Sequence, residues 1–344
     1  MSRKTSPILF SLILAVAAVA AWKFWPTAEK PGDAPPAQRV VDLSTKYAKG
    51  GATQPASQAA AKGDPAASRP TTAPAGSGAS AASAASDLRD GLDLFKQDRK
   101  IEAREKLSAA LLSYRLSPAQ EQQALKALDE VAEKTIFSTA CYDNDPYCFR
   151  YTVLPGDVLN RVETKLALHV PPPLILKVNS VMDASRIRAN QTLKMINGPF
   201  HAIVHKNRYL MDVYLQRDDK PKVFAKRFRV GLGKDDGTPV GLFRVALGKK
   251  LRRAPWNPPP NSPIQKTILW GEPGYPLGTA GYWISLEGID DNTRALDGYG
   301  IHGTNEPETI GRSESLGCIR MADADIDMVF SLLYEKWSTV EIRP

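Results

Sequence analysis

The sequence predicts a multidomain α+β protein whose last part is a mostly-β, sandwich-like domain. The chain has 344 residues, which is room for two or three domains with at least one sizeable core. A long tract rich in Ala, Ser and Pro is followed by helical periodicity and then by short β-rich runs between Gly- and Asp-containing turns. We therefore expect an apolar N-terminal segment, a linker, a helical segment, a small mixed module and a larger β domain.

The N-terminus has the features of an export signal. Arg3 and Lys4 precede an uncharged, mostly apolar run that ends at Trp22. Residues 1–26 are predicted to be a signal anchor, with residues 7–25 held in the cytoplasmic membrane. A cleaved signal peptide is the alternative, because two Ala-Val-Ala triplets in the run fit a small-x-small cleavage site. In both cases we expect the rest of the chain in the periplasmic or extracytoplasmic cell envelope.

The segment that follows divides into a linker and a helical segment. Residues 27–86 contain few large apolar residues, so burial cannot offset the entropy of ordering and a disordered linker is predicted. Residues 87–140 repeat apolar residues every three or four positions, and Ser117-Pro118 is a typical helix start. This helical hairpin with one further helix resembles a tetratricopeptide-like (TPR-like) unit. A single unit rarely stands alone, so we expect it to pack on a neighbouring domain or on a protein partner.

The three cysteines divide into a pair and a single residue. Cys141 and Cys148 flank a turn-rich segment, which in an oxidising compartment predicts a disulfide, with a reduced pair as the alternative. Cys318 is then an odd, free thiol in an exported protein. No histidine joins the pair at ligand spacing, so we predict no metal site.

The basic balance of the chain gives little indication of a partner. The net charge is +8 and the sequence pI is about 9.2. The chain has no nucleic-acid-binding motif and no dense Lys/Arg block, so nucleic acid is not an expected partner. A mildly basic surface, or attraction to an anionic cell envelope, explains the charge.

Residues 150–197 predict a small module with a strand, a Pro-Gly turn, two helices and a closing strand. The string from Tyr151 to Leu159 and this order of elements resemble a LysM domain, a βααβ module that binds N-acetylglucosamine-containing glycans such as peptidoglycan. Val158 stands where a threonine is common, and Asn190-Gln191 replaces a Gly-Gln pair. The resemblance implies binding of peptidoglycan glycan, with a purely structural role as the alternative.

Residues 199–344 read as short strands, with one helix predicted from Ala324 to Trp337. The Pro-rich stretch Arg252–Pro263, which includes Trp256, cannot pair inside a sheet and is predicted to be a loop. Within this domain, His302 in Gly-Ile-His-Gly-Thr lies sixteen residues before Cys318 in Ser-Leu-Gly-Cys-Ile-Arg-Met.

The histidine and the cysteine suggest nucleophilic catalysis. A free thiol of pKa ~8.5 is mostly protonated at neutral pH, and a nearby imidazole can take its proton. Gly317 lets a substrate carbonyl approach main-chain N–H groups, and the Gly303 carbonyl could fix the imidazole tautomer. A lone Cys or His is more often a packed core residue, so this prediction depends on the whole string.

Together with Thr238–Phe243 and Pro276–Gly278, these strings resemble the signature of the L,D-transpeptidases with a YkuD-type catalytic domain. The resemblance implies a domain spanning residues 199–344 that acts on peptidoglycan stem peptides and needs no cofactor. It also places the Pro-rich loop beside the substrate cleft, with a surface excursion as the alternative. Its implied reaction is attack on the third residue of a tetrapeptide stem, release of D-Ala, and transfer of the acyl group to a second stem in a 3→3 cross-link.

The resemblance also implies a role for each motif residue. Cys318 is the nucleophile, His302 is the proton donor and acceptor, and Gly303 orients His302. The N–H groups of Gly317 and Cys318 are the oxyanion donors. Ser315 and Thr304 shape the site, and Arg320 either binds a substrate carboxylate or makes an internal supporting contact. Resolution of the thioester by water or by a protein lysine would make the protein an L,D-carboxypeptidase or an anchoring enzyme. A non-catalytic wall-binding scaffold and a thiol protease are further alternatives.

Overall fold

The computed structural model describes residues 80–259 and 262–344. The predicted anchor at residues 7–25 and the linker up to residue 79 lie outside these residues. Within the described part, no helix is both long enough and apolar enough to cross a bilayer.

The helical segment consists of α1 (Ala81–Lys96), α2 (Lys100–Leu112) and α3 (Pro118–Thr135). Helix α1 begins six residues before the predicted start at residue 87, which corrects the predicted end of the linker. The reason is local, because alanine has the highest helix propensity and the Ser80 hydroxyl accepts a hydrogen bond from the Ser83 N–H at 3.1 Å. Helix α3 begins at the predicted Ser117-Pro118 start, where Ser117 and Gln120 form a capping box.

The helical segment packs on one edge of the large C-terminal sheet. Its buried leucines surround Phe224 of the edge strand β5 (Val223–Arg229). The Ser108 hydroxyl accepts a hydrogen bond from the main-chain N–H of Phe224 at 2.9 Å. An uncovered sheet edge is a site for aggregation, so α2 and α3 protect this one.

A buried ion pair fixes the segment to the loop that follows it. The Arg104 guanidinium donates two hydrogen bonds to the Asp145 carboxylate, at 2.9 and 2.7 Å. Both side chains are only 1% exposed. In a buried ion pair, the charge of each side chain is balanced mainly by the charge of the other. Removing one member therefore leaves the other as an unpaired buried charge.

We expect Asp145→Asn to lower the free energy of unfolding by about 3 kcal/mol, because Arg104 would then be buried without a counter-charge. Urea unfolding checks this, with Asp143→Asn as the exposed control in the same loop. Equal stability of the two variants would show that the pair contributes little.

The next module has the predicted order of elements. Strands β1 (Cys148–Thr152) and β2 (Thr192–Ile196) pair antiparallel, and α4 (Leu159–Lys165) and α5 (Pro172–Val178) lie between them in the chain. Cys141 and Cys148 form a disulfide with their Cα atoms 6.0 Å apart. The Lys194 ammonium donates to the main-chain carbonyls of Thr135, Ile136 and Ser138, which caps the C-terminal end of α3.

The C-terminal domain contains one mixed sheet of eight strands in the order β11-β9-β8-β7-β12-β3-β4-β5. The other strands and the helix are β3 (Phe200–His205), β4 (Leu210–Leu215), β6 (Leu232–Gly233), β7 (Gly241–Leu251), β8 (Trp283–Gly288), β9 (Gly300–Gly303), β10 (Ser313–Ser315), β11 (Ile319–Met321), α6 (Asp323–Leu332) and β12 (Thr339–Arg343).

The predicted sandwich-like domain thus contains this eight-stranded sheet and, separately, a two-stranded parallel sheet of β6 and β10. The long strand β7 keeps the larger sheet continuous. Residues 241–244 of β7 pair with β12, whereas Phe243 to Val245 and then Lys250 and Leu251 pair with β8. The strand therefore joins what the sequence pattern suggests are two sheets. Helix α6 buries Ile326, Val329 and Phe330 in the common core, and it ends at Leu332, short of the predicted end at Trp337, because Leu333 is extended.

Candidate active site

The two predicted catalytic residues come from neighbouring strands. His302 lies on β9, and Cys318 immediately precedes β11, which pairs parallel with β9 and sets Arg320 opposite His302. Both side chains line one cleft with a volume of about 560 Å³. The strand register therefore brings together residues that are sixteen positions apart in the chain.

His302 is buried and held in one tautomer. Its Nδ1 lies 2.6 Å from the main-chain oxygen of Gly303. A carbonyl oxygen can only accept, so Nδ1 carries the proton and Nε2 is left as the basic nitrogen. The ring stacks on Trp283, with centroids 5.6 Å apart. Burial lowers the pKa of His302 to about 4, aided by the positive charge of Arg320 and opposed by the Gly303 hydrogen bond.

The Cys318 thiol is packed against main chain. Its Sγ lies 3.7 Å from the carbonyl oxygen of Gly298. Burial raises the pKa of Cys318 to about 11, although the Gly300 N–H and the Arg320 charge act in the opposite direction. Burial therefore favours a neutral thiol and a neutral imidazole at pH 7.

This neutral pair predicts how alkylation of Cys318 depends on pH. We expect the rate with iodoacetamide to rise by about tenfold per unit from pH 6 to pH 9 without a plateau, because thiolate increases in that proportion below the thiol pKa. His302 adds no inflection there, since its pKa lies below that range. Mass spectrometry of the modified peptide gives the rate, and the same chain unfolded in urea serves as control. An inflection below pH 7 would indicate a thiolate–imidazolium pair instead.

The loop before Cys318 is held by two hydroxyl groups. Ser315 Oγ accepts the Gly317 N–H at 3.1 Å and donates to the Cys318 carbonyl at 2.7 Å. Thr238 Oγ1 donates to the Gly317 carbonyl at 2.9 Å and accepts the Gly233 N–H at 2.8 Å. Thr238 belongs to the upstream Thr-Pro-Val-Gly-Leu-Phe string, so this contact gives that string a structural role.

The two predicted oxyanion donors differ in their hydrogen bonds. The Gly317 N–H donates to Ser315 Oγ at 3.1 Å. Within residues 80–259 and 262–344, the Cys318 N–H has no hydrogen-bond acceptor. In this loop the Cys318 N–H therefore differs from the Gly317 N–H, which has an acceptor.

Arg320 and Thr304 support the loop beyond β9. Arg320 donates from Nη1 to the Glu306 carboxylate at 2.8 Å and to Thr309 Oγ1 at 3.3 Å. Of the two roles predicted for Arg320, these contacts correspond to the internal support. Its side chain also borders the cleft. Thr304 accepts the Glu306 N–H at 3.1 Å and lies outside the cleft lining.

The Pro-Leu-Gly string is held against the histidine strand. Asp323 Oδ2 accepts hydrogen bonds from the N–H and hydroxyl of Thr279, at 2.9 and 2.5 Å. A Cβ added at Gly303 would lie 2.8 Å from Asp323 Oδ1 and 2.9 Å from the Leu277 carbonyl. Glycine at position 303 thus allows the strand and this loop to approach each other closely.

The cleft walls contain the Pro-rich loop that the resemblance places there, together with two residues that sequence reasoning does not assign to the site. The Pro-rich loop lies beside the cleft, and the Trp256 main chain pairs with Ile268. Trp283 and Tyr299 complete the wall around the histidine and the cysteine. No local signal marks them, because their positions depend on strand pairing. Among residues 80–259 and 262–344, no group of three His, Cys, Asp or Glu side chains could hold a metal ion.

Comparison with known proteins identifies the domain. Residues 199–342 match the YkuD family, described as the L,D-transpeptidase catalytic domain. This match supports a YkuD-type L,D-transpeptidase catalytic domain at these residues. The protein is therefore an enzyme that carries an L,D-transpeptidase domain, and the matched residues include both His302 and Cys318.

Two curated relatives are similar to this chain. A putative L,D-transpeptidase YkuD of Bacillus licheniformis is 28% identical over 184 residues, which is 51% of this chain and 88% of that protein. A putative L,D-transpeptidase YqjB of Bacillus subtilis is 36% identical over 107 residues, 31% of this chain and 53% of that protein. The chain thus spans about half the length of the second relative.

Solved structures give weaker matches. An L,D-transpeptidase from Mycobacterium smegmatis has 10% identity and a TM-score of 0.29, over 46% of this chain and 76% of that one. L,D-transpeptidase 3 from Mycobacterium tuberculosis, solved with a faropenem-derived adduct, has 11% identity and a TM-score of 0.30. That match covers 57% of this chain and 90% of the other.

Proposed function

We propose that the protein is a peptidoglycan L,D-transpeptidase that forms 3→3 cross-links through a thioester on Cys318. One observation carries this proposal. The Cys318 thiol and the His302 imidazole face one cleft, and the Gly303 carbonyl holds Nδ1 so that Nε2 is the available base.

The first half of the reaction is acylation. The carbonyl of the third residue of a tetrapeptide stem binds near the Cys318 N–H, which stabilises the developing oxyanion. His302 Nε2 takes the thiol proton as Sγ attacks, and the imidazolium then protonates the leaving amine of D-Ala. The product is a tripeptide thioester with free D-Ala.

The second half resolves the thioester. The side-chain amine of a second stem attacks, an amide forms, and the Cys318 thiol is regenerated. Attack by water would release a tripeptide and make the enzyme an L,D-carboxypeptidase, whereas attack by a protein lysine would anchor that protein. We propose the stem amine as the acceptor, because the relatives that this chain resembles are described as L,D-transpeptidases.

The test is incubation of the full-length protein with purified tetrapeptide muropeptides, followed by mass spectrometry of the products. Release of D-Ala with formation of 3→3 dimers would support the proposal. Tripeptide monomer alone would support the carboxypeptidase alternative. Folded protein that releases no D-Ala would favour a wall-binding scaffold.

We also propose that the βααβ module of residues 148–196 binds peptidoglycan glycan as a LysM domain. The module exposes three large apolar side chains, which are Leu154 (50%), Val158 (52%) and Met182 (85%). Exposed apolar side chains that lie together mark interaction sites, and this proposal takes these three as part of one.

The glycan-binding proposal can be tested by sedimentation with glycan strands freed of stem peptides. We expect Val158→Asp to lower the bound fraction of full-length protein by about fivefold, because a charge replaces apolar contact area. Leu269→Asp is the matched control, since Leu269 is comparably exposed on the catalytic domain. Equal binding of both variants would leave the module a structural role.

Finally, we propose that the enzyme acts outside the cytoplasm and is held to the membrane by residues 7–25, which lie outside the described residues. The Cys141–Cys148 disulfide supports an oxidising compartment. Fractionation of cells before and after a carbonate wash tests the membrane attachment.

A further inference from the structure

The turn of residues 234–238, between β6 and β7, packs directly against the loop that precedes the nucleophile. The main-chain N–H of Lys234 donates to the Ser315 carbonyl at 2.9 Å. A Cβ added at Gly233, the residue before the turn, would lie only 2.8 Å from the Cα of Gly317. The position of the loop before the nucleophile therefore depends on the position of this turn.

The backbone of the 234–238 turn is strained. Asp235 and Asp236 have φ angles of +51° and +60°. This left-handed region is unfavourable for a residue with a Cβ, although aspartate enters it more readily than most residues do. Such a conformation persists only where the surrounding structure holds it. The turn thus needs support from another part of the domain.

Lys206 supplies this support from the short turn Lys206–Arg208, which connects β3 to β4. Its ammonium donates to the main-chain carbonyls of Thr238 and Asp236, the second at 3.4 Å, and forms an ion pair with the Asp236 carboxylate. The Lys206 side chain is only 12% exposed, so its ammonium relies on these acceptors in place of water. Because the Asp236 carboxylate is exposed, we assign most of the support to the two carbonyl contacts.

We propose that Lys206 is a positioning residue for the nucleophile. It fixes the 234–238 turn, and Thr238 then fixes Gly317 through the hydrogen bond from its hydroxyl to the Gly317 carbonyl, at 2.9 Å. The proposal rests on the proposed function, in which Cys318 is acylated. In the part of the chain that the structure describes, neither Lys206 nor Thr238 lines the cleft. Lys206 therefore acts on the placement of Cys318 and not on binding of the donor.

The steady-state rate of D-Ala release from tetrapeptide tests this role. Lys206→Met retains the alkyl stem but removes the donors, and we expect kcat to fall about tenfold with KM unchanged, because misplacement of a reacting group slows the chemical step. Lys206→Arg retains a cation with N–H donors, so its kcat should lie within about threefold of the native value. Arg208→Met is the matched control, since it removes an ion pair with Glu121 from the same short turn and should leave kcat unchanged.

A double variant tests whether Lys206 acts through Thr238. Thr238→Val removes the hydroxyl that binds Gly317 and nearly retains the shape of the side chain. If the two residues act in series, adding Lys206→Met to Thr238→Val should lower kcat by less than about twofold further. Losses that multiply would overturn the inference, because Lys206 would then act independently of Thr238.

Alkylation of Cys318 by iodoacetamide gives a readout that does not require transpeptidation. A less firmly held loop exposes the buried thiol more often, so we expect alkylation of Lys206→Met to be about fivefold faster than that of the native protein at the same pH. Both proteins should unfold at the same urea concentration. A native kcat in Lys206→Met, or a lower urea midpoint that accounts for its loss of activity, would overturn the inference. If the native protein releases no D-Ala, the proposed function fails, and the alkylation rates alone then decide whether Lys206 positions the thiol.

Discussion

Replacing His302 with alanine is expected to slow acylation of Cys318 by about 10³-fold. The cause is the environment of the thiol, whose pKa is raised to about 11 by burial. Without His302, no neighbouring base takes the proton as Sγ attacks, and no acid protonates the leaving amine. The rate of D-Ala release from tetrapeptide measures the loss.

Two further variants separate chemistry from folding. His302→Gln retains a polar side chain but has no basic nitrogen, so it should be as slow as His302→Ala. His169→Ala is the control, because His169 stacks on Trp337 at 3.6 Å and does not line the cleft. A loss of less than about tenfold in a folded His302 variant would show that another group moves the proton.

Replacing Gly317 with alanine is expected to reduce acylation by about 100-fold and to lower the free energy of unfolding by about 2–3 kcal/mol. Gly317 has a φ of +136°, which favours glycine. An added Cβ would lie 2.9 Å from both the Gly237 carbonyl oxygen and a ring carbon of Tyr299. The loop would have to move, and Cys318 and its N–H would move with it.

Gly156→Ala is the matched control for this prediction. Gly156 also has a positive φ, +84°, but an added Cβ there meets no atom within 4 Å. It therefore carries backbone strain alone, and we expect a cost of about 1 kcal/mol with unchanged acylation. Equal effects of the two alanines, by urea unfolding and D-Ala release, would mean that close packing at Gly317 does not position the nucleophile.

The parts of the site that follow from local sequence are those whose chemistry is local. A histidine followed by glycine carries its own carbonyl partner, and the Nδ1 to Gly303 oxygen distance of 2.6 Å needs no distant residue. The start of α3 at Ser117-Pro118 is local in the same sense. Such features depend on neighbours within about one turn of chain.

The parts that sequence reasoning misses depend on contacts between distant segments. Whether the Gly317 N–H is free depends on the rotamer of Ser315, and the loop around them is held by Thr238, far upstream. The continuity of the eight-stranded sheet depends on β7 pairing with two partners along its length. No periodicity reports which residues a bulge leaves unpaired.

The most direct test of the account is the intact mass of the full-length protein after brief incubation with purified tetrapeptide. The account predicts that the native protein gains the mass of one tripeptide acyl group, and that Cys318→Ala gains none while unfolding at the same denaturant concentration. An adduct that persists in Cys318→Ala, or D-Ala release by that variant at the native rate, would contradict the assignment of Cys318 as the nucleophile.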